Sequence, residues 1–433
     1  MTVNENQKKA LRIFLLSHGL GSVLFTLTFT VQAVYFIQTV HMDPLQLVLV
    51  GTTLEATIFL FELPTGVVAD TYSRRLSVII GTFLWGLGFL IEGLFPFFLS
   101  VLLSQVVMGL GFTFNSGASE AWLAGELGDE NVGPAFLQSS QVGRIGTIVA
   151  IIAGVGLASI QLSIPIVLAG AGWVGLAVYE VIAMPETGFT REANPEHEGI
   201  GAMLKTFRDG SRVVRASAVL VLFIVLGVFT GASSEGMDRL SEAHFLKNFA
   251  FPEWGQLQPV VWFGMMDLVL LLVGLAITEG FRKRIDTNNH RLVARVVIVS
   301  SALQIAGIVG FALAGGFWWA AATYVAMRLF RGVASPLFNT WITQSIDRRV
   351  RATVLSMVSQ SDAIGQVAGG PVIGWIGTAI SLRAALVTSA VLLMPALPLV
   401  AAARRRVLVE PTDEVAELET EVAPATVPVA GEQ

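Results

Sequence analysis

Uncharged apolar runs of bilayer-crossing length follow one another along almost the whole chain. A helix needs about 20 such residues to span the hydrocarbon core. Between charged or Gly/Pro-marked breaks the sequence offers them near 11–39, 45–69, 76–95, 97–123, 137–158, 163–184, 216–240, 258–281, 292–314, 317–345, 352–377 and 381–403. Lipid supplies no water to backbone N–H and C=O groups, so each run must close its hydrogen bonds internally as a helix; the residue-by-residue alternation of a barrel strand is absent. Composition agrees: 54% of the 433 residues are hydrophobic and only 14% charged, against about 25% charged in soluble domains. The expected fold is an all-α membrane protein with twelve transmembrane helices in two pseudo-symmetric six-helix bundles.

Basic residues set the expected orientation, because they collect on the cytoplasmic side. Lys8, Lys9 and Arg12 precede the first run, and Arg74 and Arg75 join the second and third. Lys205, Arg208, Arg212 and Arg215 lie between the sixth and seventh, Arg282, Lys283, Arg284 and Arg291 between the eighth and ninth, and Arg348, Arg349 and Arg351 between the tenth and eleventh. Arg404 to Arg406 follow the last, whereas the opposite loops hold little beyond Arg239, Lys247 and Arg383. An even number of spans with both termini cytoplasmic in the inner or plasma membrane satisfies this pattern. The polar opening has no small-residue cleavage site behind it and reads as the lead into a retained first span.

The longest polar break divides the chain into an amino-terminal half (1–184), a cytoplasmic linker (185–215), a carboxy-terminal half (216–406) and a tail (407–433). The net charge of -5 belongs to that tail, which holds seven of the 32 carboxylates and none of the 27 basic residues. Its composition predicts disorder. Zero cysteines and five isolated histidines offer neither thiol chemistry nor a metal site, and no cofactor is expected.

The stretch Gly66-Val-Val-Ala-Asp70-Thr-Tyr-Ser-Arg74-Arg75 resembles the G-x-x-x-D-x-x-x-R-R signature between the second and third helices of the major facilitator superfamily. Gly66 permits close helix approach, Asp70 accepts charge-assisted hydrogen bonds, and the arginines supply donors. The resemblance implies a cytoplasmic latch formed by Gly66, Asp70, Arg74 and Arg75, and alternating access to a solute site between the halves. Thr71 and Ser73 depart from the commoner residues, and Gln105 stands near the place of the family's fourth-span arginine. Gly365-Gln-Val-Ala-Gly369-Gly370-Pro371-Val-Ile-Gly374 is similar to the glycine-proline motif of drug antiporters, but it lies in the eleventh run instead of the fifth, where plain helix packing also explains it.

Ionisable groups inside a membrane are expensive and mark functional positions. By residue counting, Glu62, Glu120 and Arg144 share a depth, so the arginine can neutralise one carboxylate and leave the other to exchange protons or gate. A fully paired structural network is the alternative. Arg328 and Arg331 share one helix face, with Asp267 and Asp362 as expected partners; an unpaired guanidinium would instead attract an anionic solute. Glu92 and Glu180, near span ends, are expected to reach water, and Ser234 to Arg239 to form an outer gate.

The expected function is secondary active transport, proton-coupled and exporting small lipophilic or drug-like compounds, with proton-coupled import of a small organic anion as the alternative. An enzyme is not expected, since no nucleophile-base pair or metal cluster is exposed, and no G-x-x-x-x-G-K-[ST] loop provides for ATP. A channel fits the two-half layout less well. The expected partners are a small-molecule substrate, protons as coupling ion and the lipid bilayer, with no nucleic acid and a monomeric chain.

Overall fold

A computed structural model describes residues 5–188, 208, 211–212, 214–284, 289–344, 346 and 351–407. Most of the linker and the tail beyond 407 lie outside these residues, as do Arg348 and Arg349 and the side chains of Arg282, Lys283 and Arg284.

The amino-terminal half contains α1 (Glu5–Gln38), α2 (Pro44–Thr71), α3 (Arg74–Leu94), α4 (Phe98–Asn115), α5 (Ala118–Leu127), α6 (Asp129–Ala158) and α7 (Ser163–Ala183). The carboxy-terminal half contains α8 (Ala218–Asn248), α9 (Pro259–Arg284), α10 (His290–Ala312), α11 (Phe317–Gln344), α12 (Arg351–Ala379), α13 (Leu382–Leu393) and α14 (Ala396–Val407). Paired pieces α4/α5 and α13/α14 each make one crossing, giving the twelve helical spans expected. Ten are long and apolar enough to cross by composition alone. The other two, α11 and α12, have 28 and 29 residues; their polarity comes from the charged and amide groups they carry to the interior.

Short polar side chains start the helices by satisfying orphan N–H groups. Asp43 accepts from Gln46 N, Ser73 from Leu76 N, Asn289 from Leu292 N and Ser381 from Ala384 N. The fourth crossing breaks at Ser116–Gly117, where Gly117 takes φ 72°, a left-handed conformation that favours glycine. Beyond α7 the chain is tied back: Glu126 accepts from Thr187 N (2.6 Å) and Gly188 N (2.9 Å). Glu186 accepts from Ser73 Oγ at 2.8 Å and Arg75 N at 3.1 Å.

Within the halves, α1 packs on α6, α3 on α4 and α7, α8 on α12 and α13, and α10 on α11. Between them, α2 lies along α12 and α8, while α9 meets α6 and α1. The α2–α12 seam is closed at the face opposite Arg74 and Arg75. There Leu45 N donates to Thr378 Oγ1 at 3.0 Å, and a Cβ built on Gly374 would sit 3.0 Å from Leu45 Cα. Toward the basic face the α2 surface carries open space, since a Cβ on Gly66 would meet nothing within 4 Å.

Candidate functional site

The seam encloses two neighbouring cavities. The larger, about 790 Å³, lies among α1, α8, α9 and α11 and holds Asp238, Arg239, Glu242, Asp267, Arg328 and Arg331. The second, about 480 Å³, lies among α2, α3, α4 and α12, with Glu55, Glu62, Asp362 and, again, Arg239 on its wall. Phe25 and Phe29 of α1 line both. Polar groups that would be costly in lipid are thus gathered where the halves face each other.

Arg331 forms the tightest ion pair here, with Nη1 2.7 Å from both oxygens of Asp238. Arg328 Nη1 lies 3.9 Å from the same carboxylate and stands over the Tyr324 ring at 5.5 Å. Tyr324 in turn donates to Glu242 at 3.3 Å. The expected pairing with Asp267 and Asp362 is therefore corrected: Asp238 takes both arginines. The reason is helix length. The apolar run ends near 240, but α8 continues to Asn248, about 12 Å more at 1.5 Å per residue, so Asp238 sits inside the bundle instead of at an outer gate. Asp267 still lines the larger cavity. Asp362 accepts from Thr230 Oγ1 (3.2 Å) and Gln366 Nε2 (2.7 Å), both neutral donors.

Glu62 accepts a hydrogen bond from Gln360 Nε2 across the seam. Glu120 is exposed and lines a separate cavity within the amino-terminal half. Arg144 is exposed on α6 and pairs with neither carboxylate among the described residues, so the expected neutralisation inside this trio does not form. Residue counting gives depth along a helix but not azimuth, and these three point in different directions.

Around the signature, Arg74 Nη1 donates to Ala121 O at 3.3 Å and Arg75 Nη2 to Val181 O at 2.6 Å. Both contacts lie inside the amino-terminal half. Asp70 is exposed, without a hydrogen bond or ion pair among the described residues. The contacts made by Arg74 and Arg75 thus hold the start of α3 to α5 and to the end of α7.

Two acids expected near water are buried instead. Glu92 is 0% exposed; Gln32 Nε2 donates to it at 2.8 Å, Gln105 Nε2 at 3.2 Å and Ser104 Oγ at 3.4 Å. Glu180 is 2% exposed. Sequence reasoning placed them by their position near span ends; the neighbouring helices cover both.

A helical membrane protein of two six-span bundles facing each other across a charged seam has the fold of the major facilitator superfamily, and the comparisons agree. No protein-family model matches the chain. It is 24% identical over 359 residues to an uncharacterized MFS-type transporter, YxaM, of Bacillus subtilis (strain 168), covering 81% of this chain and 86% of the relative. Its structure is similar to that of the nucleoside transporter NupG, with a TM-score of 0.68 and 15% identity over 93% of this chain and 100% of that one. It is also similar to a peptide transporter, POT, in complex with sulfate, at TM-score 0.69 and 14% identity over 95% of each chain. A bacterial homologue of the lysosomal transporter Spinster, solved in an inward-facing and unoccupied conformation, superposes at TM-score 0.67 with 15% identity, over 98% of this chain and all of that one. These likenesses bear out the family resemblance read from the sequence and the twelve-span architecture.

Proposed function

We propose that the chain is a secondary active transporter that rocks its halves about the seam, takes up protons in exchange for its solute, and exports small lipophilic or drug-like compounds. Support for transport comes from the fold and from the character of the relatives it resembles. The observation that carries the export and proton reading is the smaller seam cavity. Glu62 and Asp362 face it and accept from glutamine and threonine donors, Arg239 on the same wall pairs with Glu235, and Phe25, Phe29, Phe59, Trp85 and Phe112 supply an apolar wall. Carboxylates held by neutral donors can change protonation without stranding a buried cation, and such a wall suits an apolar solute.

In this reading the basic face is cytoplasmic, the open space beside Gly66 leaves room for α2 to approach the other half, and Gly66, Asp70, Arg74 and Arg75 latch it there when that side closes. Import of an organic anion has one supporting observation: Arg328 has a side chain 36% exposed and lies 3.9 Å from Asp238, leaving it accessible to a solute. An enzyme has no comparable support.

Everted membrane vesicles with an acid-inside gradient test the proposal against vesicles lacking the protein. Lipophilic cations or neutral drugs should dissipate the gradient, and Glu62→Gln or Asp362→Asn should reduce that response at least tenfold with expression unchanged. A response confined to organic anions would favour the importer; full coupling in both variants and in the double variant would remove these acids from the mechanism.

A further inference from the structure

Neither seam cavity contains Glu180, which faces a space inside the amino-terminal bundle. This cavity is about 350 Å³, within the size range of small-ligand pockets. Its lining carries two carboxylates, Glu120 and Glu180, and one histidine, His18, but neither lysine nor arginine. The Ser17 and Thr82 hydroxyls approach Glu180 as weak hydrogen-bond donors, but no bond of ordinary geometry satisfies the buried Glu180 Oε2 or Ser17 Oγ among the described residues. A buried carboxylate oxygen with this spare capacity can accept a strong hydrogen bond from a charged donor that enters the cavity.

The backbone adds to the same polarity. The break at Ser116–Gly117 ends α4 at the cavity wall, and a helix C-terminus carries partial negative charge. The opposing positive end, the N-terminus of α5, already has Glu120 in its first turn. Trp85 and Trp173, with centroids 5.3 Å apart, complete a wall suited to an apolar body or to cation–π contact.

We propose that this cavity binds an organic cation, a protonated amine with an aromatic or alkyl body, whose ammonium group meets Glu180 Oε2 and Ser17 Oγ while its body lies against Trp85 and Trp173. Glu120, exposed at the mouth, draws the cation in. Trp85, Phe112 and Phe25 also face the seam, so one aromatic partition separates this site from the central one. The inference does not rest on the transport proposal, because occupancy is read without a gradient.

The test is photolabelling of the full chain in lipid nanodiscs by a diazirine-bearing 4-phenylbutylamine, mapped by peptide mass spectrometry, with the 4-phenylbutanol analogue as the uncharged control. The label should fall on α1 around Ser17 and on α7 around Trp173 to Glu180, and should drop at least tenfold for the alcohol and in Glu180→Gln. Glu120→Gln, at an exposed position that puts folding at no risk, should reduce it several-fold, and Asp362→Asn should leave it within twofold. Label confined to α8, α11 or α12, equal labelling by amine and alcohol, or full labelling in Glu180→Gln and Glu120→Gln would each overturn the proposal. Loss of gradient-coupled flux with this labelling intact would instead tell against the transport reading alone.

Discussion

Glu92 shows how a single residue is decided by its neighbours in lipid. Its carboxylate is reached by Gln32 of α1 and by Ser104 and Gln105 of α4, and Tyr35 Oη donates to its carbonyl at 2.7 Å. Four donors from two helices fix α3 against both, so the network ties three helices at one point. Removing one donor from a buried acceptor costs about 1–3 kcal/mol. Gln32→Ala should therefore lower the thermal unfolding midpoint in detergent, with the shift suppressed when Glu92→Leu is made in the same chain. An unchanged midpoint for Gln32→Ala would remove this hydrogen bond from the stability of the bundle. Sequence could identify Glu92 as intramembrane, and Gln105 as the residue near the place of the family's arginine. It could not pair them, because helices facing lipid on one side and protein on the other are apolar all round and lose the polar face that reveals azimuth in water.

At the level of elements, the seam side of the carboxy-terminal half is set by glycine. A Cβ on Gly365 would collide with Val228 O, and one on Gly231 with Asp362 O, so α12 and α8 approach backbone to backbone, as small residues allow in membranes. The glycine-proline run from Gly365 to Gly374 thus has a packing role: Gly365 and Gly369 face α8, and Gly370 and Gly374 face α2. Gly365→Ala should destabilise by about 1–3 kcal/mol through overpacking. Gly274→Ala, where a Cβ meets open space, should instead be neutral or stabilising by up to about 1 kcal/mol through helix propensity. Thermal melts of the two purified variants check the contrast, and equal shifts would mean that α8 and α12 are not in close contact. Element existence was legible from run length. The break at Gly117 and the extra turns of α8 were not, since neither interrupts the apolar pattern in a way that differs from a tolerated glycine or a polar helix end. That is why Asp238 was placed at the rim when it belongs to the cavity.

For the whole molecule, the asymmetry of the seam makes a mechanical prediction. Alternating access between two repeats requires the contact that closes one face to part when the other closes. Here the closed contact is the α2–α12 pair at Leu45 and Thr378, where the Leu45 N–H donates to the Thr378 hydroxyl at 3.0 Å, which makes these touching residues the pair to join by a disulfide. The native chain has no cysteine, so Leu45→Cys with Thr378→Cys creates the sole thiol pair. Under mild oxidant it should cross-link efficiently and hold the molecule open toward the basic face. Gradient-coupled flux should fall at least tenfold, each single variant should keep it within twofold, and reductant should restore it. The photolabelling of the amino-terminal cavity should survive cross-linking, because that space opens within one half and not across the seam. Flux that persists in fully cross-linked protein would mean that this face need not open, and rocking about the seam would have to be replaced by movement within a single bundle.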